Sequence, residues 1–235
     1  MRIFLLWILI NVLCFSSKAQ LVAFGTSVFI PVDAPMAVAV PPISLRGSLI
    51  EWKFLRFESG ITWYRLGGLS AVNGAFPFDE AITQPFNSFV IPLQLTVQIP
   101  FGDKWFIEPK LGGFYAINST YKVNQDHLGR AILLYTNDFK AISTRAQIEQ
   151  ANTFGFLGGI FATFAIDKAW SFSFGGSWYE GTSGAAIKGP YNAISINDVA
   201  VEGNIDLPNT ELDYRGFELA VSVQFKWETE DDVKR

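Results

Sequence analysis

Apolar and polar residues alternate with period two in eight stretches of this chain, most regularly in the last. From Gly216 to Trp227, Phe217, Leu219, Val221, Val223, Phe225 and Trp227 fall on one side. Glu218, Ala220, Ser222, Gln224 and Lys226 fall on the other. Successive side chains of a strand point to opposite faces, so this segment predicts a β-strand with one oily and one wet face. The other seven strands are expected at 20–30, 45–53, 55–65, 88–99, 105–116, 153–166 and 169–180.

Connections between these strands alternate long and short. Tight turns fall at Phe54, at Pro100-Phe101-Gly102-Asp103-Lys104 and at Asp167-Lys168, while long loops occupy 31–44, 67–87, 117–151 and 181–214. Brief turns on one side and long loops on the other are the layout of outer-membrane barrels. The pattern predicts an all-β protein, an eight-stranded antiparallel up-and-down transmembrane β-barrel with short periplasmic turns and long extracellular loops. Two prolines, Pro92 and Pro109, fall inside strands and are expected at bulges or gaps, because proline donates no ladder hydrogen bond. The sixth strand alternates poorly: Leu157 and Phe161 would point inward, and inward glycines are expected to make room for them.

Composition sharpens the choice between a barrel in lipid and a soluble sandwich. Hydrophobic residues make up 49% and aromatics 15%, against only 17% charged. Beyond the N-terminus no run reaches the roughly 18 apolar residues of a membrane helix, so the hydrophobicity is dispersed at alternate positions. A sandwich hides its apolar face against a second sheet, whereas a barrel displays it to acyl chains.

The first 19 residues read as a secretory signal: Arg2 at the start, an apolar core from Ile3 to Phe15, and Ser16-Ser17-Lys18-Ala19 before the cleavage point. Cys14, the only cysteine, leaves with it; bulky Leu13 before it argues against a lipoprotein signal. Of 18 basic and 22 acidic residues the leader takes Arg2 and Lys18, so the net charge moves from −4 to −6. An acidic exported chain is a poor nucleic-acid binder. The expected organisation is a signal peptide at 1–19, a barrel over 20–227 and a short polar tail at 228–235.

Inward positions carry balanced charge: Glu51, Glu58, Glu108 and Glu218 with Lys53, Arg56, Lys110 and Lys226. Eight strands enclose a space that side chains fill, so these groups predict a self-neutralised plug. Trp52, Trp63, Trp170, Trp178 and Trp227 sit near strand ends and predict membrane-interface girdles. No catalytic, cofactor or metal site is expected. His127 is the only histidine; Ser119, Ser143 and Asp126 could serve a triad with it only if the fold assembled them. Asp198, Glu202, Asp206, Glu211 and Asp213 read as a solvated acidic surface without an ordered calcium-ligand series. The stretch Ala34 to Ile43 is unusually apolar for an exposed loop.

The central strands read Asn87-Ser88-Phe89-Val90-Ile91-Pro92-Leu93 and then Phe106-Ile107-Glu108-Pro109-Lys110-Leu111-Gly112-Gly113-Phe114. This resembles the PorT-like outer-membrane barrel family of Bacteroidetes-type bacteria, in which an Ile-Pro-Leu strand precedes an aromatic-Glu-Gly-Pro strand. The likeness covers the whole mature chain in layout and this segment in motif. It departs at Pro109 and in the tail beyond Trp227. The resemblance implies an eight-stranded barrel in the outer membrane; the family's namesake supports type IX secretion. It supplies no catalytic residues.

The expected function is that of a non-enzymatic outer-membrane barrel, in contact with outer-membrane lipid, whose long loops bind a protein partner, as in a secretion or assembly complex. The alternatives are a narrow ion or small-solute channel and a lipid-modifying enzyme using His127.

Overall fold

The computed structural model describes residues 21–32, 38–66, 82–118, 122–149, 152–184, 186–207 and 211–227. The expected signal peptide and the tail at 228–235 lie outside the described residues, as does Ser119.

Eight long strands build the wall: β1 (Leu21–Pro31), β2 (Val38–Trp52), β3 (Leu55–Leu66), β4 (Phe86–Val97, prolonged by the short β5, Ile99–Phe101), β6 (Trp105–Asn118), β9 (Thr153–Ala165), β10 (Trp170–Glu180) and β15 (Gly216–Lys226). Each pairs antiparallel with the wall strands before and after it, and β15 closes on β1 from Leu21↔Lys226 to Pro31↔Gly216. The fold is an eight-stranded antiparallel up-and-down barrel with no open edge in its wall sheet. Short turns gather at one end and long connections at the other, as the alternation predicts.

Two of the long connections are folded, which corrects the expectation of plain loops there. Within 117–151 lie helix α1 (Gln125–Thr136) and strands β7 (Phe139–Thr144) and β8 (Gln147–Glu149); within 181–214 lie β11 (Thr182–Gly184), β12 (Ala186–Ser195), β13 (Ala200–Leu207) and β14 (Glu211–Asp213). Strands β13, β12 and β7 form one sheet in that order, with β8 also on β12. Helix α1 starts where the Asn124 side chain accepts a hydrogen bond from the His127 backbone N–H, and stops at Asn137, whose φ of 53° is left-handed. Its Leu128 and Ile132 pack with Ile187 and Ile205 of the sheet as the core of a cap over the barrel end.

The loop expected at 31–44 is also shorter than read, since β2 begins at Val38. Its ladder to β1 nevertheless stops at Thr26↔Ile43, beside Pro41 and Pro42, which offer no N–H to continue it. The prolines inside strands sit at gaps too. The β3–β4 ladder breaks between Ser59↔Leu93 and Thr62↔Val90, and there the Ser59 hydroxyl donates to the Pro92 carbonyl at 2.8 Å. Pro109 lies across from the Val97–Gln98 break that separates β4 from β5.

Leu157 and Phe161 do point into the barrel, where both are buried. Phe161 is paired with Gly175, and a Cβ on that glycine would collide with the Ile160 carbonyl oxygen and lie 2.7 Å from the Phe161 ring. Only a residue without a side chain lets the two strands approach with Phe161 between them. Gly175→Val is expected to cost about 1–3 kcal/mol through overpacking. Urea unfolding of the detergent-solubilised barrel checks this, and an unchanged midpoint contradicts it.

Candidate functional site

Three regions carry the chemistry: the lumen, the outer belt and the cap.

In the lumen, alternation brings Arg56 and Glu58 from β3 against Glu108 and Lys110 from β6, all four buried. Arg56 pairs with Glu58 through its Nε and with Glu108 at 3.0 Å. Lys110 reaches Glu58 at 3.1 Å and Glu108 at 3.9 Å. Gln94 donates to Glu58 and Gln98 to Glu108, each at 2.8 Å. One guanidinium and one ammonium thus meet two carboxylates, and the amides occupy further lone pairs. This is the condition under which ions tolerate a low-dielectric site.

Glu218, on β15, holds a second centre. Its carboxylate accepts from Ser27 at 2.6 Å and from the Tyr64 and Tyr179 hydroxyls at 2.8 Å each, with Arg46 at 3.6 Å. Between the two centres a cavity of about 20 Å³ touches Arg46, Glu58 and Lys110, room for a single water. Glu51 and Lys226 pair at 3.1 Å nearer the short-turn mouth. Both line an open cup there of about 240 Å³ together with Arg56, Gln98 and Asp167.

Lys53 is not among the inward groups. It sits exposed in the β2–β3 turn with φ at 54°, because the strand ends at Trp52 and the chain must reverse. Arg46 is the inward base that sequence reasoning missed. A bulge between Ser48 and Ile50 shifts the register, so counting back by twos from inward Glu51 puts Arg46 on the wrong face.

Above the charges, aromatic rings close the lumen. Phe29 packs edge-on against Tyr64 at 5.8 Å and Tyr179 at 5.9 Å, and Phe114 lies 5.4 Å from Tyr179 and 5.9 Å from Tyr214. Tyr214, read as part of a loop, hydrogen-bonds Ser88 and Asn118 from the long-connection end.

The outer face is apolar throughout its middle, with Phe24, Leu45, Leu93, Leu111, Ile160 and Leu219 all exposed. Trp52, Trp170 and Trp227 lie outward at the short-turn end, joined by Trp105. Trp178 is outward at the other end, and Trp63 is half-buried there with its indole N–H on Asn87 at 3.2 Å. Trp170 to Trp178 spans roughly 26 Å of strand at about 3.3 Å per residue, or roughly 20 Å of height at a tilt of about 40°. A water-soluble protein would not leave such a band uncovered.

The fold is similar to that of the outer membrane protein OprG from Pseudomonas aeruginosa, with a TM-score of 0.52 over 89% of this chain and 96% of that one at 9% identity. A major outer membrane protein from Thermus thermophilus gives 0.50 over 88% and 98%, also at 9% identity. The chain has the fold of an outer-membrane β-barrel. No family model matches its sequence, and no curated protein does.

Among the described residues the candidate reactive groups are spread over several elements of the long connections. His127 and Asp126 lie in the first turn of α1, and Ser143 is on β7. Asp198 is in the β12–β13 turn, where it meets Lys140 at 2.7 Å, while Glu202 and Asp206 are on β13 and Glu211 and Asp213 on β14. Among the described residues no cluster of three or more His, Cys, Asp or Glu is placed to hold a metal ion.

Arg56→Ala would leave Glu58 and Glu108 facing Lys110 alone. Removing one partner of such a buried network is expected to destabilise the barrel by about 3–5 kcal/mol, read as a lowered urea midpoint in detergent. A shift below ~1 kcal/mol contradicts the assignment.

Proposed function

We propose that this protein is a non-enzymatic outer-membrane barrel, with a lumen closed by paired charges, whose cap is a docking platform for a protein partner. In this reading the chain is exported, loses its signal peptide after Ala19, contacts outer-membrane lipid through the apolar belt, and places the cap outside the cell.

The observation that carries the reading is the cap itself. Joining adjacent barrel strands takes about 2–5 residues, yet here a helix and a separate sheet are ordered around their own apolar core. Ordering each residue costs about 1–2 kcal/mol of backbone entropy, a cost without purpose in a mere connector. At the far end of the cap, apolar side chains stay in water: Leu134 is 60% exposed, Ile196 55% and Val199 58%. Grouped apolar exposure on an ordered platform suits a contact surface. Ile196 donates its backbone N–H to Asp138 at 3.0 Å, holding the β12–β13 tip beside the end of α1.

Membership of the PorT-like family, and with it a place in a secretion or assembly complex, is the finer form of the same proposal. It rests on the Ile91-Pro92-Leu93 and Phe106-Ile107-Glu108 segments, the pattern being left at Pro109. A narrow ion channel is the second reading, favoured by the line of ionisable groups running from the mouth cup to Glu218. The aromatic closure above that line weighs against it.

Leu134→Glu combined with Ile196→Glu is expected to abolish co-purification of a partner from mild detergent, with the barrel still folded by its heat-dependent gel mobility. A wild-type protein that always emerges alone overturns the platform reading. Planar-bilayer recordings are expected to show no conductance steps; steps that vanish in Glu108→Ala establish the channel instead.

A further inference from the structure

The cap sheet ends on β13, which pairs with β12 from Ile187↔Leu207 to Ile194↔Ala200. Among the described residues β13 has no partner on its other side. Along Ala200 to Asp206 the N–H and C=O groups of alternate residues therefore point outward, a ready template for another strand.

Side chains along this edge are sorted by face. Ala200, Glu202, Asn204 and Asp206 are exposed on one side, whereas Ile205 is buried and Leu207 packs into the cap core on the other. The Tyr191 ring lies across Gly203, where a Cβ would come within 2.5 Å of it, so the inner face of the edge is apolar and aromatic. An added strand would meet two carboxylates on its outer face and an apolar surface on its inner face.

Charge selects the occupant. Opposite charges across neighbouring strands attract and like charges repel. Two copies of β13 set antiparallel about Asn204 would put Glu202 across from Asp206 twice, which disfavours self-association along this edge. The nearby acid Asp198 already has its base, Lys140. Lys188, across from Asp206 on β12, is engaged by Glu149 at 3.3 Å, so Glu202 and Asp206 are left to face a partner with two basic residues four positions apart.

We propose that β13 is a docking edge for an extended segment of a protein partner bearing Lys or Arg across from Glu202 and Asp206, four residues apart on one face, with β-branched residues on the other face, which adds to the cap sheet as a further strand. This rests on the reading of the cap as a partner platform and names the chemistry of that partner. Main-chain hydrogen bonds would supply affinity, and Glu202 and Asp206 would supply specificity and register.

The test uses the full chain in detergent micelles and two short acetylated probe peptides, one alternating Lys with Val and Thr, the other Glu with Val and Thr. The Lys peptide is expected to bind at ~10 μM, about tenfold tighter than the Glu peptide. Its binding should weaken roughly threefold between about 0.05 and about 0.5 M NaCl, since salt screens exposed charges. Hydrogen exchange is expected to slow at 200–207 when it binds. The exposed double variant Glu202→Lys/Asp206→Lys should reverse the peptide preference while keeping far-ultraviolet circular dichroism unchanged; Glu202→Gln/Asp206→Asn should level it.

No binding of the Lys peptide, equal binding of both, or protection confined to other segments overturns the proposal; the two acids then serve only to keep a bare edge from aggregating. A partner that co-purifies with Glu202→Lys/Asp206→Lys but is lost with the cap-tip variant also overturns it, while leaving the platform reading in place.

Discussion

In hydrocarbon no water is present to satisfy a backbone N–H or C=O, so a sheet that enters a membrane must have no edge. Here that requirement is met by the pairing of β1 with β15 along the full length of both, Leu21 to Pro31 against Lys226 to Gly216. Closure at eight strands then sets the width of the interior, which is just what side chains fill. It also forces the two faces of every strand into different solvents, acyl chains outside and a narrow enclosed space inside. Interruptions in the ladder fall beside Pro41 and Pro42, at Pro92 and at the Ser48–Ile50 bulge, and at Pro92 the Ser59 hydroxyl takes up the carbonyl that the gap leaves over.

The interior is organised in tiers along the axis. An open polar cup lies at the short-turn mouth, then the Arg56–Glu58–Glu108–Lys110 group, then Glu218 with its three hydroxyl donors and Arg46, then a layer of phenylalanine and tyrosine rings. Tyr64 and Tyr179 join the last two tiers, each offering a hydroxyl to Glu218 and a ring to Phe29. Charge near the middle of the barrel is tolerated because each carboxylate has cationic or hydroxyl partners within reach. The rings above it have no polar demand beyond their hydroxyls, and they separate the charged tiers from the cap.

The cap is a different kind of structure on the same chain. Its helix and sheet lie beyond the tryptophan at 178, carry their own apolar core and obey the rules of a water-soluble fold: a capped helix, a hairpin turned at Asp198, charged pairs at the surface. Ile148 packs against both this core and the aromatic layer below, so the platform is seated on the barrel rather than tethered above it. In the proposed reading a barrel filled inside has little to offer a solute, and the docking chemistry is gathered on the cap.

Much of the wall was legible because period-two alternation is a local property, readable wherever one face meets lipid and the other meets the lumen. Apart from the start of β2, the wall-strand limits, the short turns, and the inward placement of Arg56, Glu58, Glu108, Lys110 and Glu218 all follow from it. Arg46 was missed and Lys53 misplaced because a bulge at Ser48–Ile50 and the end of β2 at Trp52 each change which face a residue takes, and neither leaves a mark in the alternation. The cap strands are short and mixed in composition, so no periodicity stood out, although Asn124, Asp126, Leu128, Ile132 and Asn137 spell the caps and apolar face of a helix. By itself, then, the amino-acid order determined the faces of the strands and hence a barrel in lipid. Which carboxylate meets which base, where the rings close the lumen and which cap strand is left as an edge were decided only by the tertiary structure, because register and long-range pairing join residues far apart in the chain.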